Sequence, residues 1–103
     1  MVFKQLKELI ISPYEGYEIT EHLLEEDRKK LADGLGKFLK SLKNFFGEPD
    51  QMEVTKDDIQ KLIEYFRGYP SQRDNFIKGL RLSTELHPAR LERILQRLLE
   101  KIS

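Results

Sequence analysis

Apolar residues recur along this chain at intervals of three and four, and nowhere alternate with period two over a strand's length, so the pattern predicts helices and no sheet. Val2, Phe3, Leu6, Leu9 and Ile10 share one face of a first helix from Phe3 to Ile11. Ser12-Pro13 ends it, because a residue preceding proline is pushed out of the α region. The stretch 12–18 reads as a loop carrying Tyr14 and Tyr17. A second helix is expected to open at Thr20 as its N-cap, with Ile19 and Leu24 as a hydrophobic staple and Glu21 in the first turn, where the helix dipole favours an acid. Leu24, Leu31, Leu35, Phe38, Leu42 and Phe45 then form one stripe, and Gly47 supplies the stop. Unbroken, such a helix would be about 40 Å long, longer than a small domain is wide. Gly34 and Gly36 lie near its middle, and each glycine costs about 1 kcal/mol relative to alanine there. The glycines therefore mark either a kink or the close approach of another helix, with the kink preferred.

Thr55-Lys-Asp-Asp58 is a Thr-x-x-acid capping box, flanked by Val54 and Ile59 as a staple. It predicts a third helix with Ile59, Leu62, Ile63 and Phe66 inward, closing at Gly68. Ser71-Gln-Arg-Asp74 repeats the capping pattern and opens a fourth helix, with Phe76, Ile77 and Leu80 inward, running to Leu86-His87. Pro88 suits the first position of a fifth helix, whose apolar face is Leu91, Ile94, Leu95, Leu98 and Ile102. The expected fold is all-α: a single helical domain over residues 1–103, a small bundle of four to five helices whose second helix is long or kinked.

Composition narrows the function classes. A chain of 103 residues has room for one core, and 39% hydrophobic content excludes a disordered tail. Without cysteine there is no disulfide, thiolate nucleophile or cysteine-bearing zinc site. The longest aliphatic run, Leu9-Ile10-Ile11, is far short of a membrane span, and the charges at Lys4, Lys7 and Glu8 are incompatible with a signal peptide. The expectation is a cytoplasmic protein with no membrane partner. Net charge is zero but falls in blocks: −5 over residues 1–27, +5 over 28–47, −4 over 48–66 and +4 over 67–103. Such alternation suits helices packed against oppositely charged neighbours, and the neutral total argues against indiscriminate polyphosphate binding.

Candidate chemistry is sparse. The two histidines, His22 and His87, stand on different segments, and His22 with Glu26 offers only two mixed ligands on one helix face, too few for a metal site. Asp57-Asp58 are paired carboxylates, but the capping box accounts for Asp58. No phosphate-binding glycine loop or nucleophile motif occurs. The expectation is a protein that is not an enzyme, with no catalytic, cofactor-binding or metal-ligating residues.

The informative feature is a basic stripe. On an ideal helix Arg90, Arg93, Arg97 and Lys101 fall within about 80° of one another, and Lys78 and Arg81 on the preceding helix extend it. Arginine forks suit phosphate or carboxylate, so these six residues are candidates for binding nucleic acid or an acidic protein partner. The competing reading is a solvated face whose alkyl stems cover the core edge.

The segment Leu80-Arg-Leu-Ser-Thr-Glu-Leu-His-Pro-Ala-Arg-Leu-Glu-Arg-Ile-Leu-Gln-Arg-Leu98 resembles the second and third helices of a helix-turn-helix. It departs from that motif at Arg81, Ser83 and Glu85, which stand where it wants a small residue, an apolar one and glycine. The resemblance implies a DNA-reading unit built from residues 71–102. Leu39-Lys-Ser-Leu42-Lys-Asn-Phe45-Phe46 resembles the short peptide that binds replication sliding clamps, with Leu39 in place of the leading glutamine. The same residues lie on the second helix's apolar stripe, so core packing is expected of them. Tyr14, Tyr17 and Tyr69 lie in or beside loops and are candidate interface aromatics. The function expected is a non-catalytic helical interaction module, an adaptor or regulatory subunit binding a protein partner or itself. The alternative is a small nucleic-acid-binding protein using residues 71–102.

Overall fold

The computed structural model describes residues 1–102. Among them run six α-helices and one short 3-10 turn: α1 (Phe3–Ile11), α2 (Glu15–Ile19), α3 (Glu25–Lys43), the turn Pro49–Gln51, α4 (Lys56–Gly68), α5 (Pro70–Leu80) and α6 (Pro88–Lys101). The only β-type pairing among the described residues is an isolated bridge, Val2 with Glu53. There the backbone N–H groups of Phe3 and Val54 donate to Met52 and Met1 carbonyls at 2.7 Å each, clipping the chain start to the segment before α4.

One core runs through all six helices. Leu6, Leu31, Leu62, Ile94 and Leu98 are fully buried, and Met52 and Val54 of the clipped segment join them. Phe38, Phe66 and Phe76, from α3, α4 and α5, meet with ring centroids 5.1–5.3 Å apart, so an aromatic triad fixes the junction of those three helices.

The spine is α3, and here two expectations are corrected. The helix is continuous through Gly34 and Gly36, so it does not break there. Instead a Cβ at Gly34 would stand 2.3 Å from Leu80 Cδ2, and one at Gly36 would stand 2.7 Å from the Phe3 ring. The glycines let α5 and α1 pack closely against α3. The helix is also shorter than the apolar pattern implied. Thr20 does not open it: it caps the C-terminal end of α2, and Glu21 and His22 take left-handed conformations at φ 55° and 72°. Leu24 is therefore the N-cap of α3 and 58% exposed, so it makes no staple with Ile19. At the other end Asn44, also left-handed, stops the helix before Gly47. Nineteen residues at a rise of about 1.5 Å each fit within the 31 Å long axis without bending.

The expected bundle of four to five helices has a sixth, α2, where a loop was predicted. Ser12-Pro13, a stop signal for α1, is also a start signal: Ser12 Oγ accepts from the Gly16 N–H at 2.9 Å. The predicted capping box of α4 is present, with Asp58 N–H donating to Thr55 Oγ1 at 3.2 Å and Thr55 N–H donating to Asp58 Oδ2 at 2.9 Å. The second box is not: α5 starts two residues earlier, at Pro70 with Tyr69 as its N-cap. It also ends at Leu80, because Arg81 turns left-handed at φ 53°. The chain then crosses to α6 as an irregular segment tied down by the buried carboxylate of Asp27. That carboxylate accepts from the N–H and hydroxyl groups of both Ser83 and Thr84, at 2.8–3.3 Å. These bonds outweigh desolvation and hold the Asp27 carboxyl below its ordinary range.

Candidate functional site

The basic stripe forms on α6 as its periodicity predicts, but it faces an acid. Glu21, in the left-handed turn between α2 and α3, sits against three arginines of the stripe. Arg93 forms a two-pronged pair with its carboxylate, Nε to Oε2 at 2.6 Å and Nη2 to Oε1 at 2.9 Å. Arg97 Nη1 lies 3.1 Å from Oε2 and also donates to the Ile19 carbonyl at 3.3 Å. Arg90 Nη2 donates to the carbonyls of Thr20, at 3.2 Å, and of Glu21 itself, with its Nε 3.8 Å from Oε1. The hydrogen bond from Arg93, aided by the charges of Arg93, Arg97 and Arg90, overcomes desolvation and brings the Glu21 carboxyl from 4.5 down to about 2.

This cluster stabilises a turn that is otherwise unfavourable. Two consecutive non-glycine residues in the left-handed region cost of the order of 1 kcal/mol or more each, and the guanidinium groups engage three carbonyls and a carboxylate there. A second arginine anchor comes from α3. Arg28 is buried; its Nη1 donates to the Leu23 carbonyl at 2.6 Å and its Nη2 to that of Ile11 at 3.3 Å, while the guanidinium lies 5.9 Å from the Tyr17 ring centroid.

The remaining candidates separate. Lys101 lies 3.7 Å from Glu15 Oε2. Lys78 and Arg81 are exposed, and neither has a carboxylate within ion-pair distance among the described residues. They belong to α5 and its cap rather than to α6. Residues 81–87, which join α5 to α6, form a tethered connection longer than the three- to four-residue turn of a helix-turn-helix.

Among the tyrosines, Tyr14 is 86% exposed at the start of α2, and Tyr69 is 58% exposed with its ring 4.8 Å from that of Tyr65. Tyr17 is held more firmly, stacked on His22 at 4.6 Å. His22 points towards Glu18, 3.9 Å away, rather than towards Glu26. Within Leu39–Phe46 the core expectation holds for Leu39 and fails for Leu42 and Phe46. Leu42, still within the last turn of α3, is 43% exposed; Phe46 is 90% exposed, because the left-handed Asn44 ends the helix and swings the chain off the helical stripe. Phe46 has no sequence signal beyond its aromatic character; its exposure depends on where α3 stops.

Compared with known proteins, the chain matches no family model, and no curated protein or solved structure is significantly similar to it.

Proposed function

We propose that this protein is a non-catalytic helical interaction module, a cytoplasmic adaptor or regulatory subunit that binds a protein partner or a second copy of itself. The observation that carries this reading is the contrast between its cations and its aromatics. The arginine donors that a phosphate backbone would need are directed at Glu21 and at the Ile19, Thr20 and Glu21 carbonyls. The large side chains left in solvent are Phe46 and Tyr14, with Tyr69 and Leu24 behind them. Aromatic side chains are stiff, bury a large area and commonly anchor protein interfaces. No helix among the described residues is long and apolar enough to cross a membrane.

Affinity capture from native extract, with and without nuclease, tests the reading when Phe46→Ser and Tyr14→Ser are run beside the wild type. A protein partner retained after nuclease and lost from one variant is the expected result. Capture that disappears with nuclease would favour the nucleic-acid alternative.

A further inference from the structure

Of the six α-helices, α5 has the fewest buried residues. Only Leu80 of its eleven is buried, against four residues each in α4 and α6. Among the described residues no ion pair ties it to another helix, since Arg73 meets only the adjacent Asp74. What holds it is local. Phe76 packs on Phe38 and Phe66 at 5.3 and 5.2 Å, and Leu80 lies over Gly34, where a Cβ would stand 2.3 Å from Leu80 Cδ2. Just past its end Lys30 Nζ donates to the Arg81 carbonyl at 3.0 Å, and Asp27 holds Ser83 and Thr84. At its start a Cβ on Gly68 would meet nothing within 4 Å, so the joint with α4 is uncrowded. Elements with few buried apolar side chains open at a lower free energy than the core. Lifting α5 uncovers a groove between α3 and α4 with Gly34 as its floor and Phe38 and Phe66 as its walls. Tyr65, its ring 5.7 Å from that of Phe38, extends the apolar surface towards exposed Tyr69.

We propose that α5 is a displaceable strap: it opens as one unit when Ser83 and Thr84 let go of Asp27, and the groove it leaves takes an amphipathic helix of a protein partner. That helix carries an aromatic residue four positions before an aliphatic one. The occupant is read from α5 itself, whose Phe76 and Leu80 fill the groove at this spacing. A helix laid apolar face down in a groove is anchored by side chains one turn apart. Because the incoming helix binds only the open form, its affinity is scaled by the open fraction. The Asp27 tether therefore sets how readily the groove is available. The protein nature of the occupant rests on the interaction-module reading, whereas the opening of α5 does not.

Native-state amide hydrogen exchange on the full chain reads the opening, and a capped synthetic peptide of residues 69–82 probes the groove. The amides of Asp74 to Leu80 should share one opening, more frequent than that of Ile63 and Leu95 by about ten-fold or more. Asp27→Asn should accelerate exchange in α5 by about thirty-fold. Thr55→Ala removes a cap in the part that stays folded, so it should accelerate Ile63 and Leu95 by about five-fold and leave α5 unchanged. The peptide should bind Asp27→Asn about thirty-fold more tightly than the wild type, and a peptide with serine in place of Phe76 and Leu80 should not bind. Ser83→Ala with Thr84→Ala keeps Asp27 and its backbone bonds, and should act in the same direction by about ten-fold if Asp27→Asn does not fold. The proposal is overturned if α5 exchanges as slowly as Ile63 and Leu95, or if Thr55→Ala accelerates all of these amides alike. It is also overturned if loosening the tether leaves α5 exchange unchanged, or if the peptide fails to bind the loosened variant more tightly than the wild type. None of these measurements uses a natural partner. A closed α5 therefore sinks the strap alone, and an opening α5 in a protein that captures no partner sinks the module reading alone.

Discussion

Replacing Glu21 with glutamine removes one negative charge from among Arg90, Arg93 and Arg97 while keeping the shape of the side chain. The Glu21 carboxyl lies at about 2 in the folded protein against an ordinary 4.5, so folding favours its charged form. The sign follows: the stabilisation is complete above the unfolded value of 4.5 and is lost as pH falls through about 2. At face value the difference corresponds to about 3 kcal/mol. The side chain is 26% exposed, and screening of partly exposed pairs brings the expected contribution to about 2 kcal/mol. Urea denaturation followed by far-ultraviolet circular dichroism measures it. At neutral pH Glu21→Gln should be less stable by about 2 kcal/mol with an unchanged denaturant slope. In acid the gap should shrink, because the wild type loses the same interaction. A variant as stable as the wild type at neutral pH, or a gap indifferent to acid, would refute the claim that this carboxylate holds the turn between α2 and α3.

Alanine substitutions at three glycines should rank by what the new methyl group meets. Gly79 has nothing within 4 Å, so Gly79→Ala should stabilise by about 0.5–1 kcal/mol in thermal or urea melts. Gly34→Ala must displace the Leu80 side chain and should be mildly destabilising. Gly16→Ala would place Cβ 2.0 Å from the Ile10 carbonyl oxygen, backbone that cannot rotate away, and should cost about 2 kcal/mol or more; a neutral result there would contradict the packing of α2 on α1. Asp27→Asn leaves donors of Ser83 and Thr84 without their charged acceptor and should cost about 2–3 kcal/mol. Hydrogen exchange at the Ser83 and Thr84 amides should accelerate with it, and unchanged protection there would argue against the tether.

What was legible in the sequence was what neighbouring residues decide. α1 and α6 carry their boundaries in proline positions and a 3.6-residue apolar repeat, and α4 carries its start in Thr55 and Asp58. The start of α3 was not legible, because the left-handed turn at Glu21 and His22 depends on Arg93, 72 positions away in the chain. The same separation hid the partner of the basic stripe: periodicity placed Arg90, Arg93 and Arg97 on one face but said nothing of what they oppose. Gly34 and Gly36 stand out in the sequence by their helix-interior positions, but the close approach they permit is to Leu80 and Phe3, whose positions come from tertiary packing. In the sequence Asp27 is one of the seven acids of residues 1–27, and only the fold of residues 81–87 shows it as a buried acceptor.

The central claim is that Arg90, Arg93 and Arg97 serve the fold and leave the protein to act through protein contacts. Duplex DNA binding by the wild type and by an Arg90→Gln, Arg93→Gln, Arg97→Gln triple variant, measured across salt concentrations, tests it most directly. Each phosphate neutralised contributes about −0.9 to the log–log salt slope, so a stripe bound to the backbone would lose about two to three units of slope in the triple variant. The wild type should show no appreciable duplex binding even at low salt, and the triple variant should be less stable but no different towards DNA. Micromolar binding whose salt slope falls by two to three units on the triple replacement would contradict it.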